Sequence, residues 1–236
     1  MELGEILSDA LTYPFQNIKA LVIYIILGII LGIAVAGTFA GIFLSFEVDN
    51  VLTLIGSGII GFIVAIFVGF VISGYQLDII KYGINRDPSS PGIDFVRQFL
   101  NGVKYLVVYV VYMIIPIIIS AILAIFFQHW FASVIDAILI IIFSLAAFMG
   151  ECRLAKTEDL IYALAIGEAI GDISRVGILK LILFIIIIFI ISFVIFFIAS
   201  LIAQWNGIIG GILMGIFSVY VVFFVGRASG LLYSDV

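Results

Sequence analysis

The side chains able to do chemistry are few, and they gather at the ends of apolar runs. Asp78 and Lys81 follow one such run; Glu151 and Arg153 follow another. Carboxylates and cations meeting there would either pair and fix how neighbouring segments dock, or bind the charged head group of a lipid. With Tyr75 alongside, a convergent Asp78–Glu151–Arg153 cluster would be the minimum for a membrane enzyme. Ion pairs at an exposed rim are worth only about 0–1 kcal/mol, and docking is the favoured role. A second candidate is the pair His129 and Asp136, the latter about one and a half turns inside its apolar run. It is either a functional pair or an ordinary helix-start carboxylate facing water.

Most other chemistries are excluded by what is missing. The 236 residues contain one histidine and one cysteine, Cys152, so neither an internal disulfide nor a zinc site is expected. No G-x-S-x-G, H-E-x-x-H or Walker A pattern occurs, and nothing calls for a cofactor. A net charge of −5 argues against a nucleic-acid partner. The central thirds of the apolar runs carry no Asp, Glu, Lys, Arg or His, which weighs against a proton relay or a carboxylate-lined ion path.

The elements that position these residues follow from composition. Hydrophobic residues make up 65% of the chain and charged residues 11%, against about 45–50% and about 25% in soluble domains. The apolar residues come in blocks, so the solvent they meet is lipid. A helix crossing the bilayer needs roughly 20 apolar residues; the segments 20–44, 51–72, 105–127, 131–149, 179–203 and 208–225 qualify. Strands of a barrel would alternate, so an all-α integral membrane protein with six transmembrane helices is expected. The first 17 residues carry Glu2, Glu5 and Asp9 and no basic residue, unlike a secretory signal.

All ten basic residues (Lys19, Lys81, Arg86, Arg97, Lys104, Arg153, Lys156, Arg175, Lys180 and Arg227) fall on one side of the six spans; the loops at 46–50, 128–130 and 204–206 have none. The positive-inside rule places that side, and both termini, in the cytoplasm. Trp130 and Trp205 then lie at the outer interface as an aromatic belt.

Three amphipathic segments precede the outgoing spans: residues 2–11, 93–103 and a third opening at Thr157, whose apolar face is Leu160, Leu164, Gly167 and Gly171 and whose polar face is Glu168, Asp172 and Arg175. Each leads into a lysine, Lys19, Lys104 or Lys180, and the returning spans end at Gly74, Gly150 and Gly226, 76 residues apart each time. The pattern suggests a single membrane domain of three hairpins, each preceded by a cytoplasmic interfacial helix, with repeats at 1–77, 88–153 and 157–230. Small residues at four-residue spacing (Gly28, Gly32, Ala36 and Ala40; Gly61, Ala65, Gly69 and Ser73; Gly207, Gly211 and Gly215) predict that spans one, two and six form the tight centre, leaving three and five to face lipid or a partner protein. Pro116 predicts a kink, with the freed carbonyl met by Ser120 or a neighbour.

The motif Asp9-Ala10-Leu11-Thr12-Tyr13-Pro14-Phe15 and the pair Gly74-Tyr75 resemble the prokaryotic, largely archaeal membrane family catalogued as domain of unknown function 4013. So does the stretch through Pro91, Asp94-Phe95, Phe99, Gly102-Val103-Lys104, Tyr112 and Pro116; Ser90-Pro91-Gly92 departs from its expected apolar-proline junction. A looser likeness is to the membrane domain attached to some glycerophosphodiester phosphodiesterases. The resemblance implies a multi-span plasma-membrane protein and brings no activity or site residue. The leading expectation is a non-enzymatic protein that organises a membrane complex or handles lipid or a small apolar solute, with membrane lipid and a membrane protein as partners. A permease or channel built from the three hairpins is the alternative, and would need a wet cavity.

Overall fold

A computed structural model of the chain describes residues 1–48, 58–126, 130–204 and 207–236. The described residues form nine helices: α1 (Leu3–Gln16), α2 (Ile18–Val48), α3 (Ile60–Ile84), α4 (Phe95–Phe126), α5 (Trp130–Thr157), α6 (Leu160–Ala163), α7 (Ile166–Val176), α8 (Ile178–Ala203) and α9 (Gly207–Tyr233). Isoleucine- and valine-rich segments like these have modest intrinsic helix propensity. In hydrocarbon, however, every N–H and C=O must be satisfied within the segment, and the helix does this. Six of the nine, α2, α3, α4, α5, α8 and α9, are long and apolar enough to cross a bilayer. The chain is therefore a multi-pass membrane protein.

The centre is built from α3 and α9. α3 packs against α2, α4, α5 and α9, and α9 packs against α1, α2, α3 and α8. Close approach explains the glycines. A Cβ on Gly28 of α2 would lie 2.8 Å from the Gly215 carbonyl oxygen of α9, and one on Gly61 of α3 would lie 2.9 Å from the Ala34 carbonyl oxygen of α2. Spans one, two and six do meet as their small residues indicate. Gly69 is different: nothing lies within 4 Å of where its Cβ would be. It is on the right helix but turned off the contact line.

Span three faces outward over most of its length, with 17% of its apolar stretch buried. The close contact lies ahead of it: the start of α4 presses on α3 so tightly that a Cβ on Gly74 would collide with the Gln98 carbonyl oxygen, and one on Gly102 with that of Phe70. Span five keeps its peripheral role. Only 11% of its apolar window is buried, against 44% for α9.

The three preludes differ from one another. α1 is a separate helix, closed by a reciprocal capping box between Glu2 and Glu5 and ended at Asn17. The second prelude is not separate, because α4 runs unbroken from Phe95 through Pro116 to Phe126. The Ser120 hydroxyl has no hydrogen-bond partner among the described residues, so it does not meet a carbonyl freed by Pro116. The third opens later than its sequence suggests. α5 continues through Thr157, Glu158 adopts φ 58°, and Asp159 caps α6 by accepting from the Ile161 N–H at 2.8 Å. α7 then starts afresh and ends at Gly177, whose φ of 95° suits glycine. The buried side of α7 is Ala169, Asp172 and Ile173, whereas Cβ atoms on Gly167 and Gly171 would meet nothing. The helix is rotated from its apolar reading because Asp172 turns inward to an ion pair.

Candidate functional site

The polar side chains converge on one end of the bundle, where α3, α5 and α9 finish and α1, the start of α4 and α7 lie. Three links dominate. Asp78 of α3 accepts both terminal nitrogens of Arg97 of α4, at 2.7 and 2.8 Å. Asp172 of α7 accepts from Arg153 of α5 at 3.0 Å and from Arg175 at 2.8 Å. Asp9 of α1 accepts from Arg227 of α9 at 2.7 and 3.3 Å. In each, the end of one apolar helix is tied to an amphipathic segment elsewhere in the chain. The third link joins the last long helix to the first.

One member of each link, Asp78, Asp172 or Arg227, is buried in a shell of neighbours. Gln98, fully buried, donates to Asp78 at 3.2 Å and to the Gly92 carbonyl at 3.1 Å, and accepts the Tyr24 hydroxyl. Tyr24 stacks on Tyr75 at 3.9 Å between centroids, and Phe223 closes the group. Asp172 is fully buried and also accepts the Tyr233 hydroxyl. Arg153 donates to the Tyr162 carbonyl as well, and Tyr112 donates to that of Ala163, so α6 is held down against α4 and α5. Arg227 is 2% exposed; it lies over the Tyr13 ring and donates to the Asp87 carbonyl. The segment joining α3 to α4 is thereby pinned across the centre, with Tyr13 donating to the Ser89 carbonyl and Tyr75 to that of Pro91.

The four residues expected to form one rim cluster are not mutual partners. Asp78 bonds Arg97 and Gln98, and Arg153 bonds Asp172. Lys81 donates to the Glu158 carboxylate at 2.6 Å. Glu151 faces the Tyr105 hydroxyl. Tyr75 is committed to its stack and to Pro91. The convergent acid, base and guanidinium that an enzyme would need are not assembled from these residues. Of the outer pair, His129 lies outside the described residues, and one Asp136 carboxylate oxygen is buried without a partner among them. Trp205 also lies outside, and the Trp130 side chain is not described.

Electrostatics at the rim follow from these contacts. The hydrogen bond from Lys81 holds the Glu158 carboxyl below the ordinary carboxylate range, with the charges of Lys81, Arg97 and Lys104 acting the same way. Hydrogen bonds from Ser89 do the same for Asp87. Burial pushes the Tyr13 hydroxyl up. Between α3 and α5, a cavity of about 10 Å³ lined by Asp78, Lys81, Asn101 and Glu158 has room for about one water. Three larger cavities are apolar: about 430 Å³ between α5 and α8, about 350 Å³ between α2 and α3, and about 290 Å³ where α2, α8 and α9 meet near Phe15.

Residues 57–204, which hold α3 to α8 and so two of the three links, match the family described as protein of unknown function (DUF4013). The match spans 148 of 236 residues. The chain belongs to the DUF4013 family. Within it, the segment through Gly74, Pro91, Gly102 and Tyr112 is covered by the match, whereas Asp9–Phe15 and Arg227 lie beyond it. No curated protein and no solved structure matches this DUF4013 chain.

Asp78 and Arg153 stand out in the sequence as charges that follow apolar runs, whereas Arg97 and Arg227 enter it only among the ten basic residues and Asp172 only on the polar face of a prelude. A signal was present, since 19 residues separate the partners in both the first and second links.

Proposed function

We propose that this protein is a non-enzymatic plasma-membrane protein that handles lipid or a small apolar solute within the bilayer. One observation carries the reading: the polar cavity at the rim holds about one water, while three larger cavities are apolar and bounded by lipid-facing helices. A permease or channel for polar solutes requires the reverse. The saturated rim supports a docking role for its charges, because both oxygens of Asp78 and both of Asp172 already accept from guanidinium groups.

The three hairpins are α2–α3, α4–α5 and α8–α9, set head to tail around an axis along the membrane normal. The order of the links supports this. The end of α3 binds the start of the second unit, the end of α5 binds the prelude of the third, and the end of α9 binds the prelude of the first. Both termini and the rim face the cytoplasm, supported by the one-sided distribution of the ten basic residues.

Two measurements test the reading. Liposomes containing the protein should take up or exchange fluorescent lipid or apolar dye faster than empty ones, and should show no added flux of ions or sugars; ion flux without lipid exchange would refute it. For the threading, Cys152→Ala with a new cysteine at Ser89 should react with an impermeant thiol reagent only after cells are opened. Rapid labelling of intact cells would reverse the orientation.

A further inference from the structure

Three seams separate the proposed units, and two of them carry close glycine contacts, although a smaller apolar cavity of about 290 Å³ lies where α2 meets α8 and α9. Between the first and second, α3 and α4 meet backbone to backbone at Gly74 and Gly102. Between the third and first, α9 and α2 meet at Gly28 and Gly215, where added Cβ atoms would come within 2.8 and 3.0 Å of the facing carbonyl oxygens. The seam between the second and third, α5 against α8, has no such contact. α7 packs between their ends, with Ala169 and Ile173 in one buried cluster with Cys152 and Leu181. Above this floor the two helices diverge around a cavity of about 430 Å³. Ile141, Ser144 and Phe148 form one wall and Ile185 and Ile188 the other, with Val225 of α9 at the back.

We infer that this open seam is a binding site for one acyl chain of a membrane phospholipid, drawn from the leaflet on the side of the charged rim. The inference rests on the lipid-handling reading above and gives it a site. Three properties select the occupant. The walls belong to helices that cross the bilayer, so the available occupant is what surrounds them. Ser144 is the sole polar residue of the lining, so nothing there recognises a polar solute. Size separates a chain from its competitors. The volume is nearly three times the roughly 150 Å³ that accommodates one benzene molecule. It is about half the roughly 900 Å³ of a helix 10 Å wide over the two to three turns the walls span, so an acyl chain can fill the groove whereas a helix could only lie across its open side. The level is set by the lining, since Phe184 to Ile188 lie in the first turns of α8, just above α7.

The test uses the full chain purified in mild detergent, with native mass spectrometry and extraction of bound lipid. Wild type should retain one phospholipid per chain. Ser144→Trp, which fills the cavity from α5, should lose it while melting at the wild-type temperature; Ile188→Trp, which fills it from α8, provides the same answer should the first variant not fold. Ile63→Trp, on an exposed face of α3, should keep the lipid. Equal retention by all variants would overturn the site and leave the lipid-handling reading standing. A wild type without bound lipid would remove both. A wild-type dimer that Ser144→Trp converts to monomer would assign the seam to a second copy and overturn the acyl-chain site.

Discussion

Arg153→Met removes one guanidinium from a fully buried carboxylate while keeping most of the apolar stem. Asp172 would retain Arg175 and the Tyr233 hydroxyl, but Arg175 is 58% exposed and cannot replace a partner that is 14% exposed. The Tyr162 carbonyl would lose its donor too. Stripping a buried ion pair of one member costs about 3–5 kcal/mol; with two of the three donors to Asp172 left, a cost of about 2–3 kcal/mol is expected, near one charged hydrogen bond. At about 2–4 °C per kcal/mol for a chain of this size, the melting temperature in detergent should fall by roughly 4–12 °C. The companion variant Asp172→Asn and the double variant complete a cycle, whose coupling should reach at least about 1.5 kcal/mol. Glu168→Gln is the control. Its partner Arg175 lies 3.9 Å away with both side chains mostly exposed, so its effect should stay within about 0–1 kcal/mol. A shift for Arg153→Met no larger than the control's, or an additive cycle, would refute the view that the rim links hold the units together.

The close approaches make a paired prediction. Gly74→Ala, whose methyl would collide with backbone of α4 rather than a movable side chain, should destabilise at or above the top of the roughly 1–3 kcal/mol overpacking range, while Gly69→Leu should leave the melting temperature unchanged; the opposite order would invalidate the packing description. Glu158 gives a pH dependence with a definite sign. Its folded pKa is depressed by Lys81, so its contribution is present at neutral pH and lost as pH falls through the folded value. The difference in melting temperature between wild type and Glu158→Gln should therefore vanish as pH falls through and below the ordinary glutamate range, and should be small because the carboxylate is half exposed. A difference that grows on acidification would reverse the assignment. Arg227→Met should release α1, seen as faster proteolysis within residues 3–16 with the remaining helices still protected; an unchanged cleavage pattern would show that Tyr220 and the apolar face of α1 suffice.

Spans were legible because lipid imposes a one-dimensional rule: about 20 apolar residues, with charge at the ends. Gly28, Gly61 and Gly215 were legible as contact residues for a similar reason, since small side chains are what close helix packing requires. Gly69 shares their spacing yet touches nothing. Spacing defines a stripe on a helix, and tertiary geometry decides how far along the stripe contact runs. The rim was harder to read. Asp172 sits on a helix whose apolar pattern would point it at water, and the donors it meets inside, Arg153 of α5 and the Tyr233 hydroxyl of α9, make inward rotation favourable. The link between Arg227 and Asp9 spans 218 residues and leaves no local trace. α4 hid its prelude for another reason: Asn101-Gly102 reads as a turn, but Gly102 serves the close contact with α3, and the interfacial and spanning parts continue as one helix.

The clasp between Asp9 and Arg227 also has a meaning in time. During synthesis α1 emerges well before its guanidinium partner, 218 residues further on. At about 5–20 residues per second, Asp9 waits roughly ten to forty seconds before Arg227 exists to receive it. Until α9 arrives α1 lacks this tie, so a nascent chain that stalls late would display an unfastened α1 to the quality-control machinery of the cell.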